Sequence, residues 1–198
     1  MPRNAQRVAV CRHGATEWSK NGRHTSKTDL MLTPDGELEA RKLRPALTWW
    51  DFSKVFCSPL QRARRTCELA GFSDQAEITD DLLEWDYGDY EGLTTPEIRK
   101  KDPGWTVFSH PVPGGEDADA VSARCDRVIQ KIRETGGDCA VFAHGHILRV
   151  FTARWLGLPA MEGRHFILGT GTLNILSYEH ESPAVKVWNA PLVGYEVD

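Results

Sequence analysis

Two short stretches of this chain carry residues able to do chemistry at neutral pH: Arg12-His13-Gly14 and His144-Gly145-His146. Imidazole titrates near neutrality and serves as nucleophile, acid, base or metal ligand. A guanidinium is a permanent cation whose fork of donors suits carboxylate and phosphate. Arg62, four residues after Ser58, is a third contributor. Taken singly, a histidine near a strand end is usually a hydrogen-bonded structural residue, and a lone arginine a solvated charge. Gathered in one place, two arginines and two histidines repel one another unless an anion occupies the centre. A metal is the competing occupant, since His144 and His146 have HxH spacing and His13 and His24 would complete a ligand set. The fixed charges of Arg12 and Arg62 oppose a divalent cation, so the expectation is no metal and no other cofactor. Phosphate fits best, because phosphoryl transfer spreads negative charge over oxygens that arginine and histidine donors stabilise directly.

To converge, these residues must be placed by the elements around them. The apolar runs at 7–11 (RVAVC), 54–57 (KVFC) and 139–143 (CAVFA) predict buried strands, and Arg12-His13-Gly14, Ser58-Pro59 and His144 stand at or just beyond their C-terminal ends. Ligands of open α/β sheets bind at that edge. Thr33-Pro34, Ser58-Pro59 and Thr95-Pro96 each read as a hydroxyl N-cap followed by proline in the first helical position, which predicts helices over 34–49, 59–69 and 96–101. Arg62 then falls in the first turn of the second of these, beside helix N-terminal amides that favour an anion. A longer helix is expected over 117–134, with Val121, Cys125, Val128, Ile129 and Ile132 on one face and Gly136-Gly137 as its stop, and another over 147–156 ending at Gly157. Segments 173–180 and 184–188 alternate around Glu181-Ser182-Pro183 and predict an antiparallel hairpin. The fold class is therefore α/β, a mainly parallel sheet with helices on both faces and an antiparallel edge.

No repeat, low-complexity stretch or linker divides the 198 residues, so one domain over 1–198 is expected. A content of 40% hydrophobic and 26% charged residues is that of a soluble globular chain and excludes disorder. With a net charge of −4 there is no overall basic character to draw nucleic acid or an anionic membrane, and any anion must be held by a local cluster. The start, MPRNAQRVAV, carries too short an apolar run for a signal core or a membrane span before Arg12 and His13 interrupt it, which makes a cytoplasmic location the expectation. Five cysteines, an odd number without CxxC spacing, indicate neither a disulfide framework nor a zinc knuckle and read as reduced core thiols.

VCRHGATEW, SPLQRARRT, LLEWDYGDYEG and FAHGH together resemble the signatures of the histidine phosphatase superfamily, which also contains the cofactor-dependent phosphoglycerate mutases, in order and spacing from about 7 to 172. RHG alone is weak; RHG followed by RAxxT, ExxxGxxEG and HG is specific as a set. The resemblance implies a phosphoglycerate mutase-like fold, His13 as nucleophile, Arg12, Arg62 and His144 as binders of the transferring phosphoryl group, and Glu84 as proton donor. Without the motif, Asp80, Asp81, Asp86, Asp89 or Glu91 would compete with Glu84; these neighbours are expected mostly to face solvent. HTSKTDLMLT is similar to the family's substrate loop and implies that Arg23, His24 and Thr25 lie near the phosphate or substrate, although Ser26 replaces the usual glycine. Ser19 stands where many members have asparagine.

WSK together with EWDYGDYEG and AHGHxLR looks most like the sugar-phosphate phosphatase branch that includes sedoheptulose 1,7-bisphosphatase. Arg149, one turn into the helix after His144, is expected to face the pocket, and in that branch an arginine there contacts the distal part of the substrate. The segment between Gly92 and Glu116 is short, which favours a pocket open to water and hydrolysis over return of the phosphoryl group. The expected function is a metal-independent phosphomonoesterase working through a phosphohistidine on small phosphorylated metabolites. A phosphoglycerate mutase is the alternative, or a protein phosphatase or phosphopeptide-binding module. The partner is a small phosphorylated substrate, with no nucleic acid and no membrane; a homo-oligomer is compatible with the sequence.

Overall fold

Six strands, β1 (Val8–Arg12), β2 (Lys54–Cys57), β3 (Ala76–Ile78), β4 (Cys139–Ala143), β5 (Leu173–Glu179) and β6 (Ser182–Ala190), form one sheet in the order β3-β2-β4-β1-β5-β6. The structure is a computed structural model that describes residues 6–192. The basic start over 1–5, included in the reading of the first ten residues, lies outside the described residues. β1, β2, β3 and β4 pair in parallel, while β5 runs antiparallel to β1 and β6 to β5. This is the expected sheet. β1 and β4 are buried on both faces, as befits strands covered by helices on either side.

The helices are α1 (Glu17–Lys20), α2 (Pro34–Leu47), α3 (Gln61–Leu69), α4 (Thr95–Arg99), α5 (Ala118–Thr135) and α6 (Gly145–Trp155). Val8 and Val10 of β1 share a core with Val121 and Ile132 of α5 and Ile147 and Phe151 of α6. The alternate residues Ala9 and Cys11 share a second core with Leu43 and Leu47 of α2 and Ala63 and Cys67 of α3. The sheet thus has an α5/α6 face and an α2/α3 face. All five cysteines are buried and free. No helix among the described residues is long and apolar enough to cross a membrane.

Several boundaries differ from the sequence reading, for local reasons. Thr33 does cap α2, accepting from the Gly36 amide. Ser58 does not cap α3, which starts at Gln61 with Leu60 as an N-cap lacking a side-chain bond; its hydroxyl is taken by His144 instead. Thr95 is already helical, and Thr94 is the cap, in a reciprocal box with Glu97. α6 begins at Gly145, two residues early, because no side-chain cap is needed where a carboxylate from elsewhere meets its amides. The hairpin turns at 180–181 rather than 181–183: Ser182 and Pro183 already pair with Glu179 and Tyr178, and His180 takes the positive φ of 54°. Proline is tolerated there because β6 is an edge strand.

Two glycines make the critical close contact. A Cβ on Gly14 would lie 2.0 Å from the Gly36 carbonyl oxygen, and one on Gly36 would lie 2.1 Å from that of Ala15. The start of α2 therefore presses directly on the loop that follows β1, and only glycine fits at either position.

Candidate active site

β4 lies between β1 and β2 in parallel register, with Arg12 opposite Ala143 and Cys57 opposite Phe142. His13, Ser58 and His144 therefore leave the sheet side by side at its C-terminal edge. The His13 amide donates to Ala143 O and the Ser58 amide to Phe142 O, both at 3.0 Å. The rings of His13 and His144 are 5.2 Å apart between centroids.

His13 is buried, and its Nδ1 lies 2.7 Å from the carbonyl oxygen of Gly14. A carbonyl only accepts, so Nδ1 carries the proton and Nε2 is left with the lone pair. Burial first, and then the charges of Arg12 and Arg62, hold the pKa of His13 well below the ordinary 6.5. At neutral pH its Nε2 is an uncharged nucleophile or base.

The Arg12 guanidinium donates through Nη1 to Leu168 O at 2.5 Å. Its Nε is the one buried side-chain nitrogen or oxygen among the described residues with no hydrogen-bond partner. Burying an unpartnered cationic donor is costly, and such a group calls for an anion.

Arg62, almost wholly buried, gives Nε to His144 Nδ1 at 3.1 Å and its terminal nitrogens to the carbonyls of Thr25, Ser26 and Thr28 at 3.0–3.2 Å. Because Nδ1 of His144 accepts, Nε2 is the protonated nitrogen, and it donates to Ser58 Oγ at 2.7 Å. Burial, followed by Arg62, His13 and Arg12, depresses the His144 pKa well below 6.5.

Glu84 approaches from the segment between β3 and α4. Its Oε1 accepts from the amides of Trp85 (2.9 Å) and Ile147 (2.7 Å), and its Oε2 from the amide of His146 (2.9 Å). The carboxylate thus meets the open N-terminus of α6, the natural place for an anion. Arg124 of α5 steadies this segment by donating to the carbonyls of Asp81 and Leu83, each at 2.9 Å, while pairing with Glu116 at 2.7 Å. The acidic neighbours of Glu84 are not mostly solvent-facing: Asp81 pairs with Arg127 and Asp86 with Lys27. Glu91 accepts from the amides of Ser26 (2.9 Å) and Thr28 (3.1 Å), so it anchors the 23–28 loop. Asp80 and Asp89 are exposed as expected.

A cleft of about 260 Å³ opens at this edge, lined among others by Arg12, His13, Glu84 and Arg149 and by Ser19, Arg23, His24 and Thr25. Arg62 and His144 are not part of its lining; they lie buried behind His13 and bonded to each other. The Ser19 hydroxyl is engaged in the capping box of α1, accepting from Thr16 N (2.8 Å) and donating to Thr16 O (2.9 Å). Arg149 stacks 4.6 Å from the Phe108 ring and donates to the carbonyls of Gly163 and Arg164. His144 and His146 diverge, the first to Arg62 and Ser58, the second to Tyr87. Tyr87 and Thr16, both buried and both lining the cleft, were not singled out from the sequence. Nothing local distinguishes Tyr87 from Tyr90 or the aspartates around it, and its partner His146 was visible only as half of an HxH pair.

A family model, the histidine phosphatase superfamily (branch 1), matches residues 8–191. The chain is 39% identical over 178 residues to an acid phosphatase of Mycobacterium tuberculosis, covering 88% of this chain and 87% of that protein. It is 35% identical over 220 residues to a sedoheptulose 1,7-bisphosphatase of Saccharomyces cerevisiae, covering 94% and 80%. A solved structure of an open reading frame product from M. tuberculosis superimposes with a TM-score of 0.90 at 37% identity, covering 94% of this chain and 98% of that one. The chain belongs to the histidine phosphatase superfamily. It is an α/β enzyme of that superfamily with phosphatases among its relatives.

Proposed function

We propose that the chain is a metal-independent phosphomonoesterase that passes the phosphoryl group of a small phosphorylated metabolite, in the first instance a sugar phosphate, through His13. The observation that carries this reading is the pairing of a neutral His13, its Nε2 lone pair left free by the Nδ1 bond to Gly14, with a fixed Arg12 cation whose buried Nε has no protein partner. A nucleophile beside an unsatisfied cationic donor is the arrangement phosphoryl transfer requires.

In the first step Nε2 of His13 attacks phosphorus, the bond from phosphorus to the ester oxygen breaks, and that oxygen takes a proton from Glu84. Arg12 stabilises the equatorial oxygens. Arg62 and His144 support the phosphoryl site from behind His13, and burial, followed by Arg12 and Arg62, keeps the nucleophile uncharged. Of the two Glu84 oxygens, Oε1 is occupied by two amides and Oε2 by one. Oε2 therefore has the free capacity to exchange a proton with the substrate. In the second step water attacks the phosphohistidine, Glu84 takes the proton back, and His13 leaves as neutral imidazole. Ser19, Arg23, His24, Thr25 and Arg149 line the space for the alcohol half of the substrate. The names of the two relatives, an acid phosphatase and a sugar bisphosphatase, support this substrate class.

The test is a panel of phosphorylated metabolites assayed in EDTA, run beside a mutase assay with 3-phosphoglycerate and 2,3-bisphosphoglycerate. Release of inorganic phosphate in chelator supports the proposal. Turnover that disappears in chelator and returns with zinc or magnesium, or phosphoryl exchange without net release, contradicts it.

A further inference from the structure

His146 has no part in the chemistry described above beyond its backbone amide, yet its ring lines the cleft next to Arg149 and Glu84. Its Nδ1 lies 2.5 Å from the hydroxyl of Tyr87, a residue buried to within 1% of its surface. Among the described residues that hydroxyl has no other hydrogen-bond partner. Were it to accept from a protonated Nδ1, its own proton would be left without a protein acceptor, which is costly for a group so little exposed. Donation from Tyr87 to Nδ1 satisfies both groups, and it fixes the proton of the ring on Nε2. Nε2 of His146 has no partner among the described residues and is not buried, so it reaches the cleft.

The neighbouring wall repeats the pattern. His24 stacks on His146 with ring centroids 5.7 Å apart and planes inclined by 28°, and it spends Nε2 on Thr95 Oγ1 at 3.2 Å, leaving Nδ1 toward the cleft. Both rings are uncharged at neutral pH: burial takes His24 down to about 4, and burial followed by Arg149, His24 and Arg12 takes His146 well below 6.5. The Tyr87 hydroxyl in turn stays protonated, its pKa raised by burial and by Glu84. Neutral donors and acceptors in a row suit hydroxyl groups, whereas the adjacent Arg149, which gives Nε and one terminal nitrogen to carbonyls, keeps its other terminal nitrogen and its charge for a more distal anion.

We infer that His146, locked by Tyr87 with its proton on Nε2, reads hydroxyl groups on the alcohol half of the substrate, so that the cleft selects polyol phosphates over plain alkyl phosphates. Tyr87 is the positioning residue for this contact. The inference rests on the phosphomonoesterase reading and adds to it the residue that recognises the sugar.

Ribose 5-phosphate and n-pentyl phosphate are both primary alkyl esters that place the same demand on Glu84 and differ in their hydroxyls. The ratio of kcat/KM for the first over the second is the readout. The unaltered enzyme should prefer ribose 5-phosphate; His146→Phe should lower the ratio about 3–10-fold, the loss of one neutral hydrogen bond; and His146→Gln, which keeps a donor near the Nε2 position, should retain most of it. Tyr87→Phe should lower the ratio in part. In long-range ¹H–¹⁵N spectra of histidine-labelled protein, the His146 signals should report a single tautomer protonated on Nε2, which becomes a mixture in Tyr87→Phe. No preference in the unaltered enzyme, an unchanged ratio in His146→Phe, or a proton on Nδ1 overturns the inference. Phosphorylation of His13 by p-nitrophenyl phosphate is followed in the same preparations: its presence leaves the phosphomonoesterase reading standing whatever the ratio does, and its absence overturns that reading and the inference with it.

Discussion

Replacing Glu84 by glutamine tests the acid role and exposes a structural duty of the same side chain. The carboxylate accepts from three backbone amides, two of them the second and third amides of α6. Whichever way the glutamine turns, its NH₂ group faces at least one of these N–H donors, so one bond is lost and a second donor is pushed against the first. A hydrogen bond to a charged group contributes about 1.5–3 kcal/mol, and a carboxylate at a helix N-terminus about 0.3–1 kcal/mol. Glu84→Gln should thus cost about 2–3 kcal/mol, a fall in Tm of about 5–10 °C for a chain of this size. Kinetics are to be measured at 25 °C on variant protein whose folding at that temperature is verified by circular dichroism. Nitrophenolate leaves without a proton and a sugar alkoxide does not, so formation of the phosphohistidine in a single turnover should slow by about 10²–10⁴-fold with ribose 5-phosphate and much less with p-nitrophenyl phosphate. Steady-state rates alone do not suffice, because loss of the base in the second step would slow both substrates alike. An unchanged first step with ribose 5-phosphate refutes the assignment of Glu84 as the acid, and equal slowing of the first step with both esters refutes the leaving-group argument. An unchanged Tm refutes the capping role.

Arg149→Ala removes a cation from the cleft wall and should lower kcat/KM for a bisphosphorylated sugar, mainly through KM, by about tenfold more than for p-nitrophenyl phosphate; equal losses with both would assign it a purely structural part. Stability should fall on acidification. His13, His24, His144 and His146 all have folded-state pKa values below 6.5, whereas the unfolded chain takes up these protons near pH 6.5. Their neutral burial is thus without penalty above about pH 6.5. Below it each adds a slope of roughly 1.4 kcal/mol per pH unit favouring unfolding, which for His24 ends near pH 4. The urea midpoint should therefore drop steeply between pH 7 and 5, and a midpoint that holds or rises over that range contradicts the assignment of neutral histidines. His144→Ala should destabilise the protein by several kcal/mol in the same titration, since it strands Arg62 Nε inside the sheet edge and leaves Ser58 Oγ with only the Leu60 amide at 3.4 Å.

The sheet was legible because its central strands are uninterrupted apolar runs and the chemistry begins where those runs stop. Arg12-His13-Gly14 directly after VAVC and His144 directly after CAVFA required only that the two strands be parallel neighbours. The helix starts were legible where the cap is local, as at Thr33, and misread where a hydroxyl had a distant partner, as at Ser58, whose oxygen belongs to His144. The same limit applies within the site. Motif order points to Glu84, but not to its capping of α6 from 62 residues away. Spacing pairs His144 with His146, whereas the side chains point to different partners because one leaves a strand and the other starts a helix. Glu91 looked like one more surface carboxylate among several, and its two amide bonds to the 23–28 loop arise only when the loop folds back over it.

Brief incubation with ³²P-labelled p-nitrophenyl phosphate in EDTA, followed by a rapid quench, addresses the transfer through His13 most directly. Label should appear on the protein, survive base, leave in acid, and map by peptide analysis to His13; His13→Ala should carry none. Label that persists in His13→Ala, or that survives acid, would contradict a phosphohistidine at this residue.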